Sequence, residues 1–252
     1  MDRRDFLKWG ALVASSPWVW PQTTGKAMKL VYFQNFPPFS WSYGSEPIKG
    51  ILIDLLNEAL TKRMGIPLQH TGLPWARAQS LVKMNEADAY CTIVTPERLT
   101  YAECSQKSVV NTNMVVVTRM DHPKIQQLRA IQNINDLGQL KIGSYLGSGW
   151  AAQRIADRNV TWTRTLEQSL KMVAQGRVDM SINVEIVARY YIKELGLADQ
   201  LILLNPVDQA NFHLFIGKES RFVGILPEFD RTVAAMLADG TTQKIYDSYL
   251  NS

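Results

Sequence analysis

From Lys29 to Phe33 the chain is rich in strand-forming residues and then runs into the turn-rich Asn35-Phe36-Pro37-Pro38-Phe39, the pattern of a strand leaving a sheet for a loop. Gly50 to Met64 sets Leu52, Leu55, Leu56, Ala59 and Leu60 on one face of a helix that Gly65 stops. Pro67 to Thr71 reads as a second strand, Trp75 to Asn85 as a second helix and Ala87 to Thr92 as a third strand. This βαβαβ order calls for a parallel sheet with helices on its faces.

The same order returns with strands at Lys141 to Ser144, Val160 to Arg164 and Val178 to Ile182. Helices from Trp150 and over Leu166 to Gln175 lie between them, and a loop, Tyr145-Leu146-Gly147-Ser148-Gly149, follows the first strand. Between the halves lies the strand-like Val109 to Arg119, and after the second half the extended Leu201 to Phe215. Two such connections let the chain cross from one lobe to the other and back, and the helices Leu226 to Ala238 and Thr242 to Leu250 then rejoin lobe one. Ligands of open α/β sheets sit at the carboxyl ends of strands, so two facing lobes predict a cleft between them.

Composition narrows the class. With 252 residues, 46% of them apolar and 20% charged, the chain is globular rather than disordered. It has no apolar run of membrane-spanning length and no solenoid repeat. Of the formal charge of +4, the first 27 residues contribute half, through Arg3, Arg4, Lys8 and Lys26 against Asp2 and Asp5. The remaining Lys and Arg form no stripe with interleaved aromatics, so nucleic acid is not an expected partner. Cys91 and Cys104 are too few for a disulfide framework, although one bridge between them stays open, and they lack the company a zinc site needs. His70, His122 and His213 lie far apart with no nucleophile motif beside them, and no metal or other cofactor is expected.

Asp2-Arg3-Arg4-Asp5-Phe6-Leu7-Lys8, followed by a modestly apolar stretch to Trp20 and the small-x-small Gly25-Lys26-Ala27, resembles a twin-arginine export signal. It implies a cleaved segment 1–27 and a periplasmic location. The Phe36-Pro37-Pro38-Phe39 loop, Gly50 leading into Asp54-Leu55-Leu56, Ala87-Asp88-Ala89, Thr95-Pro96-Glu97-Arg98, Leu137 with Ile142-Gly143 and Gly147-Ser148, and Gly176-Arg177-Val178-Asp179 follow one another in order. Together they resemble the extracellular solute-binding proteins of family 3, the amino-acid-binding receptors of ABC importers. The resemblance implies an α/β fold of the type II periplasmic binding protein kind, in which two βαβ lobes meet at a ligand cleft and two crossovers serve as hinges. Lobe one would take residues 28–110 and 212–252, and lobe two 111–211.

It also implies a site. Arg98, ending the Thr-x-x-Arg pattern, would receive the ligand's carboxylate, a task suited to a planar guanidinium. Thr92 and Thr95 lie on the same segment, and because the interval from Asp88 to Arg98 is shorter than the family's usual spacing, either hydroxyl is a candidate donor. Phe36 matches a ring that stacks on the ligand, and Trp41, Trp75 and Trp150 lie on ligand-side loops. Gly147-Ser148-Gly149 precedes a helix whose free amides would face Arg98 across the cleft. Asp54, Asp88 and Asp179 read as structural, set at a helix start and at strand starts. Where the family usually holds the ligand's ammonium with an Asp, this chain has Val184; Asn183, Glu185 or Asp208 are the candidate replacements. The expected partners are a small carboxylate-bearing solute and a membrane permease, for a monomeric protein. A dehydratase of cyclohexadienyl acids with Glu97 or Glu185 as the acid, and a sensory domain acting through a separate partner, are the alternatives on this fold.

Overall fold

The computed structural model describes residues 27–250, so the export-signal reading falls, except for Ala27, outside the described residues. The chain runs β1 (Met28–Phe33), the hairpin β2 (Asn35–Phe36) and β3 (Ser40–Trp41), α1 (Ile51–Leu56), β4 (Leu68–Leu73), α2 (Trp75–Lys83), β5 (Ala89–Ile93), α3 (Pro96–Tyr101), β6 (Ala102–Cys104) and β7 (Val110–Arg119). It continues through α4 (Ile125–Arg129), β8 (Ile142–Tyr145), α5 (Gly149–Arg154), β9 (Val160–Thr163), α6 (Leu166–Ala174), β10 (Met180–Val184) and α7 (Glu185–Glu194). The last elements are β11 (Leu201–Gly217), α8 (Leu226–Ala238) and α9 (Thr241–Leu250). Beyond Leu56, α1 widens into a π-helical stretch, Asn57–Arg63, and Leu52, Leu55, Leu56, Ala59 and Leu60 are all buried, as their spacing predicts.

Nine strands form one curled mixed sheet in the order β4-β1-β5-β11-β7-β10-β8-β9, with β6 on β11. Each end is a parallel three-stranded unit, β4-β1-β5 and β10-β8-β9, and the long antiparallel pair β7 and β11 joins them. In the middle of that pair the rows Asn111↔Asn211, Thr112↔Ala210 and Asn113↔Gln209 are bonded to each other alone, because β5 joins β11 only from Phe212 onward and β10 joins β7 only from Met114 onward.

The two halves repeat a device that their sequences hardly show. Asp88, just before β5, accepts the Lys29 N–H at the start of β1 at 2.8 Å, while its own N–H donates to the Lys29 carbonyl at 3.0 Å. Asp179, just before β10, does the same with Lys141 ahead of β8, at 2.7 and 2.8 Å. These carboxylates therefore fix strand register. At the entrance to α1, Gly50 holds φ at +133°, and a Cβ there would stand 2.5 Å from the Phe39 carbonyl oxygen, so the loop closes over the helix start only because that residue is glycine.

Both cysteines are free. Phe215 pairs with Tyr90 of β5 and with Cys104 of β6, which places β5 and β6 on opposite edges of β11. Two inter-strand steps, roughly 9.5 Å, separate the backbones that carry Cys91 and Cys104. A disulfide bridges Cα atoms less than about 7 Å apart, and the bridge left open by the sequence does not form.

Candidate functional site

The carboxyl ends of β1 and β5 face those of β8 and β10, and the residues there close a cavity between the halves. Phe33, Thr92 and Ile93 come from one side, Tyr145, Asn183 and Val184 from the other. The space between the surrounding atoms, open solvent at its mouth included, is about 710 Å³.

Arg98 is 3% exposed. Its Nε and Nη2 donate to Gln79 Oε1 at 3.2 and 3.0 Å, and its Nη1 donates to the Ile93 carbonyl at 2.8 Å. The guanidinium lies over Trp75, 5.5 Å from the ring centroid. Three of its five N–H groups are thus committed, leaving one on each terminal nitrogen. Among the described residues no carboxylate forms an ion pair with it, and burial pulls its pKa below the ordinary arginine value, nearby Tyr90 and Tyr101 and the Glu97 carboxylate opposing the shift. Gln79 carries no sequence signal for this role, since it meets Arg98 only because α2 packs beside β5.

From the other half, Gly149 presses on this cation. A Cβ at Gly149 would lie 2.7 Å from Arg98 Nη2, and one at Gly147, where φ is +90°, 3.3 Å from the Trp75 ring. Ser148 caps α5, its hydroxyl accepting the Ala151 N–H at 3.3 Å. Aromatic rings fill much of the remaining wall: Phe33 stacks with Phe36 at 5.7 Å and, across the gap, with Tyr145 at 6.4 Å, while Phe36 meets Phe212 at 6.2 Å. Burial pushes the Tyr145 phenol up to about 12, against the pull of Ser148 and Arg98, so it is a neutral hydroxyl at any ordinary pH. Elsewhere between the halves, Tyr191 donates to the Asn35 carbonyl at 3.1 Å and Tyr43 meets Tyr190 at 3.2 Å.

A model of the bacterial extracellular solute-binding proteins, family 3, matches residues 28–252. The chain belongs to this family. No curated protein sequence matches it. Among solved structures it is similar to a histidine kinase sensor domain with similarity to periplasmic binding proteins, at 16% identity and TM-score 0.74 over 89% of this chain and 96% of that one. It is also similar to the periplasmic VFT2 domain of BvgS from Bordetella pertussis, at 20% identity and TM-score 0.72 over 88% and 93%. A third is the substrate-binding protein of an amino acid ABC transporter, at 20% identity and TM-score 0.69 over 90% and 100%. At these identities the likeness is one of fold, and the α/β fold is that of type II periplasmic binding proteins.

Set against this family's pattern, Arg98, Phe36, Thr92, Trp75, Gly147, Ser148, Gly149, Asn183 and Val184 share the one cavity. Thr95 does not: its hydroxyl accepts the Arg98 backbone N–H at 3.3 Å and caps α3, and its side chain belongs to an outer recess with Glu97 and Trp162. Thr-Pro-Glu is a helix-start signal, so the sequence held the means to see this. Trp150 lines the cavity with its ring while its Nε1 donates to Asp208 at 2.7 Å; Trp41 packs edge-on against Tyr249 instead. Phe33, Tyr145 and Phe212 are additional wall residues that linear spacing does not single out.

Proposed function

We propose that this family member is a periplasmic substrate-binding protein that captures a small carboxylate-bearing solute for an ABC-type importer. One observation carries the reading: a guanidinium buried on the wall of a two-sided cavity with no ion-paired carboxylate among the described residues, Glu97 acting on it only through its field from the outer recess. A buried cation lacking a counter-ion is strongly disfavoured, and an anionic ligand supplies one. The two uncommitted N–H groups of Arg98 suit a carboxylate's two oxygens, and the amides opening α5 lie on the facing side. The unsupported rows of β7 and β11 favour residues 28–110 with 212–252 as one lobe, 111–211 as the other, and closure about the ribbon between them.

A receptor fits this wall better than a dehydratase does, because loss of water wants an acid at the reacting oxygen. Glu97 faces the outer recess, and Glu185 is held by Arg189 at 2.8 Å and by Asn113 at 3.4 Å. The deciding experiment is a thermal-shift and calorimetric screen of small carboxylic acids on wild type and Arg98→Gln, with mass spectrometry of the solute afterwards. Binding that needs Arg98 and returns the solute unaltered supports the reading; an altered solute points to the enzyme, and binding indifferent to Arg98 removes the carboxylate role.

A further inference from the structure

The cavity wall carries a single charged side chain among the described residues, Arg98. Of the three replacement acceptors for an ammonium, Asn183 lines the cavity but is neutral, and neither carboxylate reaches it: Glu185 is tied to Arg189 and Asn113, and Asp208 accepts from Trp150 Nε1 and pairs with Arg154 at 3.5 Å. At the position itself stands Val184, 7% exposed with its side chain on the wall. From these observations we infer that the site selects a monoanion, a small carboxylic acid with an aromatic or branched apolar body and no ammonium group. The inference rests on the proposed pairing of Arg98 with a carboxylate.

Charge balance is the core of the argument. A monocarboxylate brings one negative charge to one buried positive charge and leaves the closed site neutral. A zwitterionic amino acid brings no net charge: its carboxylate answers the guanidinium, but its ammonium is then buried as an uncompensated cation facing methyl groups. Thr92 and Asn183 offer neutral oxygens, and Asn183 Nδ2 already donates to Ser181 Oγ at 2.8 Å. Such oxygens can accept a hydrogen bond, but they do not change the charge count. A dicarboxylate, glutamate included, needs a second cation that the wall does not supply. The rest of the solute meets Phe33, Phe36, Trp75, Tyr145 and Phe212, surfaces that reward a flat ring or a branched alkyl group through burial and stacking.

The test compares molecules that differ only in the amine. Calorimetry on the purified protein pairs 3-phenylpropionate with L-phenylalanine and 4-methylpentanoate with L-leucine, adding glutarate, L-glutamate and the uncharged 3-phenylpropionamide. The des-amino acid of at least one pair is expected to bind about tenfold or more tightly than its amino acid, with glutarate and glutamate weaker still. Val184→Asp, which neutralises the wall and restores an ammonium acceptor, is expected to shift that ratio about tenfold or more toward the amino acid. An amino acid that binds as well as its des-amino partner, or a dicarboxylate that alone binds, overturns the inference while Arg98 as carboxylate partner stands. An amide that binds as tightly as the acid, or a panel with no binder at all, overturns the pairing with Arg98 and the inference with it.

Discussion

Gly149 stands against Arg98 across the cleft, so close that a methyl group on it would sit 2.7 Å from Nη2 and 3.1 Å from Nη1. The contact joins the first residue of α5 to the residue that ends the Thr-x-x-Arg pattern, 51 positions earlier in the chain. Because the guanidinium is pinned by Gln79, the Ile93 carbonyl and the Trp75 face, it cannot swing aside without losing those partners.

Gly149→Ala tests that closeness directly. The backbone at Gly149 is not in the left-handed region, so the fold accepts alanine, while closure over Arg98 meets an overpacking cost of about 1–3 kcal/mol. The expected result is weaker binding of whichever carboxylate the wild type takes, and a lower melting temperature for the ligand-free protein in so far as it holds this contact. Unchanged affinity by calorimetry would show that the two walls do not meet in the bound state.

Gln79→Glu supplies the missing counter-ion from within. Its carboxylate would occupy the place of the amide oxygen now 3.0 and 3.2 Å from the guanidinium, turning hydrogen bonds from a cation to a neutral oxygen into an ion pair. The ligand-free variant is expected to melt higher and to lose affinity for carboxylates. Tight carboxylate binding retained in this variant would mean that Arg98 is not what the ligand's charge answers to.

Acid acts elsewhere, where α8 meets α9. Hydrogen bonds from Thr241, with Arg63 adding its charge at 2.9 Å, pull the Asp239 carboxyl down to about 2. A carboxylate depressed in the folded state stabilises above its unfolded pKa and stops doing so as pH falls through the folded one. Asp239→Asn should therefore lower the melting temperature near neutrality, and the gap should close between the ordinary aspartate range and pH 2. A gap that persists at pH 2 would assign the effect to packing rather than to charge.

Thiol counting checks the sheet geometry. Cys91 is buried on the cavity wall and its thiol is raised by burial, so reagent should reach it slowly in the native protein. In denaturant without reductant, two thiols are expected per chain; none would mean a bridge that the positions of β5 and β6 on β11 forbid.

Local pattern carried the fold because the strands and amphipathic helices repeat at periods that read directly from the chain, and because the crossovers are long β-rich runs. It missed α7, whose entry residue Val184 offers no side-chain cap and which follows β10 without a turn. It also missed β6, three residues that are a strand only through their partner β11. In the site, the motif order located Arg98 and the Gly147-Ser148-Gly149 loop. Gln79, Tyr145 and Phe212 emerged only from packing, since nothing in a lone glutamine or aromatic says which cavity it will face. The missing acceptor at Val184 was legible, yet its weight appears only once Glu185 and Asp208 are seen to be occupied elsewhere.

For the closure proposed above, the three rows Asn111↔Asn211, Thr112↔Ala210 and Asn113↔Gln209 would serve in mechanical terms as a flexure. Two hydrogen-bonded strands with nothing on either edge twist and bend out of plane readily, but resist sliding past one another, since sliding breaks every rung at once. In the proposed closure the moving half would follow a nearly fixed arc, and its loop would return to the same spot each time, so that a fit as tight as glycine on guanidinium re-forms without a search through misaligned encounters.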